Sequence, residues 1–338
     1  MKKRTALRLG AAVIAVAAAA FALTGSAGGN MSPVADRIAY MSTLDGEADI
    51  YTMAPTGLLN FNLTHDKTLG LRTDVEPAWS PDGQFVAFQR NFVKSELVTS
   101  QIFLVAADGT KLGPLMPPTD GVVDMHPSWS PDGQSIVFAS DLDGNFELYL
   151  YTLNSGQLIQ LTDTTADIEN LEPQWSPNGE MIVFTRQMAT ATVSAASLYL
   201  VRLDTGLIYK LTSPILMGRG DHDATWSPDS KRVAFTSDRL GSSTIRSNDL
   251  FVVNVDGSEL TRVTTLAGNE YHPTFSPNGD QLAFIGDQTG ATEIYSFVLP
   301  VPNTAVPPPQ DKIQQITFDG AYKSHPTWQG RVGMAVTN

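Results

Sequence analysis

Short apolar runs separated by polar turns recur along almost the whole chain. No stretch beyond residue 24 sustains a helical period for more than two turns. The segment 125–163, MHPSWSPDGQSIVFASDLDGNFELYLYTLNSGQLIQLTD, shows the unit most clearly. Its pattern predicts a first strand over His126–Ser130 and a second over Ser135–Ser140, joined by a tight turn at Pro131-Asp132-Gly133. A polar loop at Asp141–Asn145 leads to a third strand, Glu147–Leu153. A turn at Asn154-Ser155-Gly156 leads to a fourth, Leu158–Thr162. In the first turn Pro presets φ and Gly is free to take φ > 0. The second strands of successive units read VAF, IVF, IVF, VAF and LAF. Such continuous apolar runs, without in–out alternation, fit sheets covered on both faces.

The unit repeats. Its opening phrase is EPAWSPDG at 76–83, HPSWSPDG at 126–133, EPQWSPNG at 172–179, HDATWSPDS at 222–230, HPTFSPNG at 272–279 and a truncated HPTWQG at 325–330. The fourth copy reads as one residue longer before its Trp. The anchors are Trp79, Trp129, Trp175, Trp226, Phe275 and Trp328. Four hairpin-linked strands in about forty to fifty residues have the rhythm of a β-propeller blade. A large ring at this point in each blade fills the wedge between adjacent sheets. Six first strands but only five complete units are present. Residues 36–64 supply strands two to four of a blade whose first strand is missing, and 325–329 supply that strand. The expected fold is therefore all-β: a six-bladed propeller of four-stranded antiparallel blades, its ring closed by the C-terminal strand pairing with the N-terminal blade.

These motifs resemble the TolB-type propeller repeat. The resemblance rests on [HE]-P-x-W-S-P-[DN]-G, the IVF-type strand after it, the stretch Ser140–Tyr149 and the closing Leu161-Thr162 and Leu211-Thr212, and it covers residues 36–330. It implies a propeller used as an exported binding module. The family's namesake belongs to the cell-envelope Tol–Pal system and carries an α/β domain ahead of its propeller. Here the repeats begin by Asp36, so functions that depend on that domain are not carried over. Nor does a G-x-S-x-G elbow of the hydrolases that bear similar propellers occur.

The first residues add a destination. Met1-Lys2-Lys3-Arg4 and Arg8 precede an apolar stretch from Ala11 to Leu23, then small residues Thr24 to Ala27. This is the pattern of a secretory signal peptide, with cleavage expected after Ala27. An uncleaved anchor is the competing reading, but thirteen apolar residues are short for the ~20 that span a bilayer. The expected organisation is a signal peptide at 1–27, a linker at 28–35, the propeller at 36–330 and a tail at 331–338, periplasmic or secreted and not inserted in the membrane after cleavage. The chain has no cysteine, which rules out disulfides, thiolate metal sites and an N-terminal lipidated Cys. Its formal charge of −13 falls by four more units when Lys2, Lys3, Arg4 and Arg8 leave with the leader. That acidity argues against nucleic acid and anionic lipid as partners.

Candidate chemistry gathers at the start of the first strands: Glu76, His126, Glu172, His222, His272 and His325, four of the five histidines. First strands are innermost in a propeller, so these six are expected to ring one channel mouth, with Arg219 and Asp221 projecting beside them. Packed sheets stand ~10 Å apart and metal–nitrogen bonds are ~2 Å. The ring therefore reads as structural, each side chain bonding the next blade's backbone, with no metal and no cofactor. The Asp141–Glu147 stretch resembles a calcium loop, lacks EF-hand spacing and reads as turn chemistry. The irregular segments 91–100, 188–197, 213–221, 238–249 and 300–311 are the expected recognition loops. The expectation is a monomeric, non-enzymatic module that binds a protein or peptide. The alternative is a carbohydrate-active, metal-assisted lyase or hydrolase centred on His222, His272 and His325.

Overall fold

The computed structural model describes residues 37–65, 72–94, 97–188, 196–213, 220–239, 247–299 and 312–330. The leader 1–27, the linker 28–35, Arg219, the segment 300–311 and the tail 331–338 lie outside these residues, as do most of 188–197, 213–221 and 238–249.

The described residues form six four-stranded antiparallel sheets, the blades of a propeller. The inner strands are Lys323–Trp328 in blade 1, Arg72–Trp79 in blade 2, Asp124–Trp129 in blade 3, Ile168–Trp175 in blade 4, Asp221–Trp226 in blade 5 and Glu270–Phe275 in blade 6. Each contacts the inner strand of the next blade round the full circle. Blade 3 follows its sequence pattern closely: Ser135–Ser140 is a strand over the expected residues, and the third strand is Glu147–Thr152. The second strands are buried along nearly their whole length, as two-sided packing requires.

The recurring Trp-Ser-Pro-Asp-Gly phrase folds for identifiable reasons. In blade 3 the Ser130 hydroxyl donates to Asp132 Oδ1 at 2.6 Å, and the Gln134 amide donates to the same oxygen at 3.0 Å. The Ser135 amide donates back to Ser130 Oγ at 2.9 Å. Blades 2, 4, 5 and 6 repeat this with Ser80, Ser176, Ser227 and Ser276. The closing Leu-Thr is equally mechanical. Thr162 Oγ1 accepts from the Leu148 amide at 2.9 Å and so fixes the start of the third strand. Thr212 and Thr264 do the same in blades 4 and 5.

The aromatic anchors sit between blades. Trp129 packs among Phe85, Ala87 and Leu104 of blade 2 and Ile136 and Phe138 of blade 3. Its indole donates to the Ala78 carbonyl at 3.2 Å. Trp226 joins Val183 and Leu198 of blade 4 to Val233 and Phe235 of blade 5. Trp79, Trp129, Trp226 and Phe275 are buried, whereas Trp175 and Trp328 are only half-buried.

Ring closure is as expected. The inner strand of blade 1 comes from the C-terminal side and pairs antiparallel with Ile38–Ser42, placing Ile38 opposite Trp328. Beyond it, the Gln329 side chain reaches blade 2 at Gly83. Gly83 adopts φ 66°, which favours glycine, and a Cβ there would lie 1.9 Å from Gln329 Nε2 and displace that side chain. One expectation fails: 91–100 is not an irregular loop. Strands Phe85–Lys94 and Leu97–Ala106 run through it, with Asn91 opposite Ser100 and Lys94 opposite Leu97. Among the described residues the second and third strands of blade 2 pair at ten positions, against five or six in the other blades.

Candidate functional site

Every inner strand contains a bulge at one place. In blade 2 the pairing steps from Val75 opposite Gln89 to Ala78 opposite Ala87, leaving one extra residue on the inner strand. The residue at the bulge adopts the left-handed region in all six blades: Glu76 (φ 56°), His126 (58°), Glu172 (53°), Asp223 (53°), His272 (50°) and His325 (49°). Non-glycine residues rarely take that conformation. In five blades the next residue is proline, which ordinarily disfavours such backbone before it. A bulge re-aims the side chain it carries. Here six side chains turn to one end of the axis and line a cavity of about 630 Å³, counting its open mouth, with Pro77, Pro127, Pro273 and Pro326 between them.

Five of the six expected ring residues stand in this circle. The sixth does not. In blade 5 the bulge residue is Asp223, and His222 lies one position earlier, where Val75, Met125, Leu171 and Tyr271 lie in other blades. The fourth phrase is therefore not longer than the others; Ala224 simply replaces proline in it. The sequence held the signal, because the ring residue stands three places before the aromatic anchor in the other five copies, and three before Trp226 is Asp223. Asp221 is not at the mouth either. Fully buried, it accepts from Ser237 Oγ and from Arg239 Nη2, both at 2.6 Å.

The circle is continuous, which overturns the argument from sheet spacing. His126 Nε2 lies 3.1 Å from Glu76 Oε1, and His325 Nε2 lies 3.6 Å from the same oxygen. The His272 and His325 rings stand 3.7 Å apart between centroids. His272 Nε2 is 3.4 Å from Asp223 Oδ2, which also meets His222 Nδ1 at 3.0 Å. Glu172 Oε2 accepts from the Asp223 amide at 2.8 Å, a bond from side chain to the next blade's backbone of the expected kind. The ~10 Å figure holds for sheets stacked face to face. Propeller blades instead converge at their inner edges, and inward-turned side chains close the remaining gap.

Crowded charges shift one another. Burial opposes ionisation of Glu76, but His126 beside it outweighs that and holds the carboxyl below its usual range. For His126, burial is likewise outweighed by the Glu76 charge, which pushes it up to about 9. The two form an ion pair at neutral pH. Burial also opposes Asp223, yet neighbouring His272 and His222 keep it well below the carboxylate range. His272 is pushed down to about 3, by burial first and then by His325 and His222, against the pull of Asp223. It is therefore a neutral imidazole at neutral pH, and its Nδ1 is buried with no hydrogen-bond partner among the described residues. The calcium-like loop has no such character. Glu147 accepts from the Thr164 amide at 2.7 Å, from Asn145 at 2.8 Å and from Asn170 at 2.7 Å, and is also bonded by the Thr162 hydroxyl. Loop and strand polar groups occupy that carboxylate fully, as turn chemistry requires.

A closed six-bladed propeller with an ionisable ring at one channel mouth is thus the class that fold and site define. The family model described as the TolB beta propeller domain matches residues 16–193, and the chain belongs to that family. No curated protein sequence matches it. Among solved structures, TolB from Acinetobacter baumannii superposes with a TM-score of 0.68 at 19% identity, over 87% of this chain and 67% of that one. A chain of a nidogen/laminin complex gives 0.60 at 11% identity, over 87% and 98%. An oligogalacturonate lyase from Vibrio parahaemolyticus gives 0.53 at 14% identity, over 76% and 73%. At these identities the likeness is one of fold. Among the described residues, no helix is long and apolar enough to cross a membrane.

Proposed function

We propose that the protein is an exported binding module of the cell envelope that recognises a protein or peptide at the mouth of its central channel. The observation that carries this reading is the ring of six ionisable side chains, held on left-handed backbone around one opening. Fixing such a circle on rigid inner strands preorganises polar contacts and lowers the ordering cost of binding. Family membership supports a propeller used for binding. The basic leader-like start supports export, and the acidic surface favours a partner with cationic groups. No cofactor is required, and the module acts as a monomer.

The test is capture from envelope extracts with wild type and with the Glu76→Gln/Glu172→Gln double variant, which keeps side-chain shape and removes two charges. Loss of specific captured proteins, with the unfolding midpoint little changed, is the expected result. An identical capture profile would move recognition away from this mouth. The second reading, a lyase acting on acidic sugars, draws on the approach of His272, His325 and Asp223. Net charge weighs against it, since an acidic surface repels a polyanionic substrate. Eliminative cleavage leaves an unsaturated product, and ultraviolet absorption growing with time on oligogalacturonate would reverse the preference.

A further inference from the structure

The ring is not uniform. On one arc, Glu76 and His126 form an ion pair at 3.1 Å. On the opposite arc the separations are of another kind. His272 Nε2 to Asp223 Oδ2 is 3.4 Å, beyond the 2.7–3.2 Å of an ordinary N–H···O bond. Donor atoms of Asp223, His272 and His325 all lie within 4.8 Å of one another. Ligands held at ~2.1 Å in a tetrahedron stand about 3.4 Å apart. The Asp223–His272 separation is therefore too long for a good hydrogen bond and about right for one edge of a metal polyhedron.

We propose that Asp223, His272 and His325 form a binding site for a divalent transition metal ion of the zinc or nickel kind at the channel mouth. One carboxylate and two imidazoles are the donor set such ions prefer, whereas calcium takes six to eight oxygens, which this arc does not offer. Three blades contribute one ligand each, so the site exists only in the closed ring. The surrounding bonds orient the ligands as outer partners of metal sites do. His325 Nδ1 meets Ser324 Oγ at 2.9 Å, which leaves Nε2, 3.6 Å from Glu76 Oε1, as the nitrogen on the channel side. His222 Nδ1 meets Asp223 Oδ2 at 3.0 Å and the Asp223 amide donates to Glu172, so His222 holds the carboxylate and Glu172 the backbone that carries it. Three protein ligands leave a position open towards the channel. His222 is a positioning residue here. The site does not depend on whether the mouth takes a protein partner.

The test is titration calorimetry on tag-free protein dialysed against chelator, with zinc, nickel and calcium chlorides in turn. One equivalent of zinc or nickel is expected to bind, with no measurable calcium binding under the same conditions. His272→Gln and, separately, Asp223→Asn should each weaken zinc binding by more than about a hundredfold. His222→Ala should weaken it about 10–100-fold while stoichiometry stays at one, and His65→Gln, at the one histidine away from the mouth, should leave it within a few-fold. Circular dichroism and unfolding midpoints establish that each variant is folded, and His325→Gln serves if one of the first pair is not. Absence of stoichiometric binding in the wild type overturns the proposal, as does zinc binding that survives both ligand substitutions, or calcium binding of equal strength.

Discussion

Trp129 shows how one side chain serves two blades. Its ring lies between the second and third sheets, and its indole bonds back to blade 2, so removing it opens a hole that neither sheet can close alone. Trp129→Ala is expected to cost about 3–5 kcal/mol, read as a fall in the urea midpoint with the slope unchanged. A loss below about 1 kcal/mol would mean that the wedge is not filled as described. Three residues before each anchor stands the bulge residue, whose left-handed backbone turns its side chain to the axis. Its chemistry varies between Glu, Asp and His while its geometry does not. The backbone motif thus belongs to the fold, and the choice of side chain is left to the site.

Neighbouring blades are also joined by buried polar groups beside the starts of their third and inner strands. Asp49 of blade 1 meets Arg72 of blade 2 at 3.1 Å, and Lys323 of blade 1, fully buried, meets Glu293 of blade 6 at 3.0 Å. Between blades 5 and 6 the latch is two carboxylates. Glu270 has no exposure, accepts from Thr264 at 3.0 Å and from Gln288 at 2.9 Å, and lies beside Asp249, which is paired with Arg262 at 2.5 Å. Burial, with Asp249 adding to it, pushes Glu270 up to about 8. The unfolded chain gives up this proton near pH 4.3, so between there and about 8 the folded state holds one proton more. Stability from this group is therefore full at acid pH and declines as pH rises through that window, by about 1.4 kcal/mol per unit. Glu270→Gln should flatten the decline in unfolding midpoint between pH 5 and pH 8. Parallel pH profiles for variant and wild type would show that Glu270 ionises normally in the fold.

At the scale of the molecule, the ring is held shut by one strand. Lys323–Trp328 pairs with Ile38–Ser42 and packs against the inner strands of blades 2 and 6. Ending the chain after Tyr322 removes that strand, exposes the edge of Ile38–Ser42 and unseats His325. The truncated protein is expected to lose its cooperative unfolding transition and to aggregate on size exclusion. A monodisperse product with an undiminished midpoint would argue that blade 1 does not need closure.

Much of this was legible in one dimension. A turn such as Ser130–Ser135 is local, and so is the alternation of apolar runs with Gly and Asp. The anchor spacing therefore carried the blade count, the strand order and the pairing of the chain's two ends. The convergence of the six bulge residues was not legible. It depends on the curvature that six wedge-shaped contacts impose together and on a register shift that no residue type announces. Blade 5 shows the boundary: the sequence alone placed His222 in the circle, though the three-residue offset to the anchor pointed to Asp223. Local turn and strand preferences decided what each blade is. Only ring closure decided which side chains meet, because atoms some fifty residues apart come within bonding distance when every blade is in place.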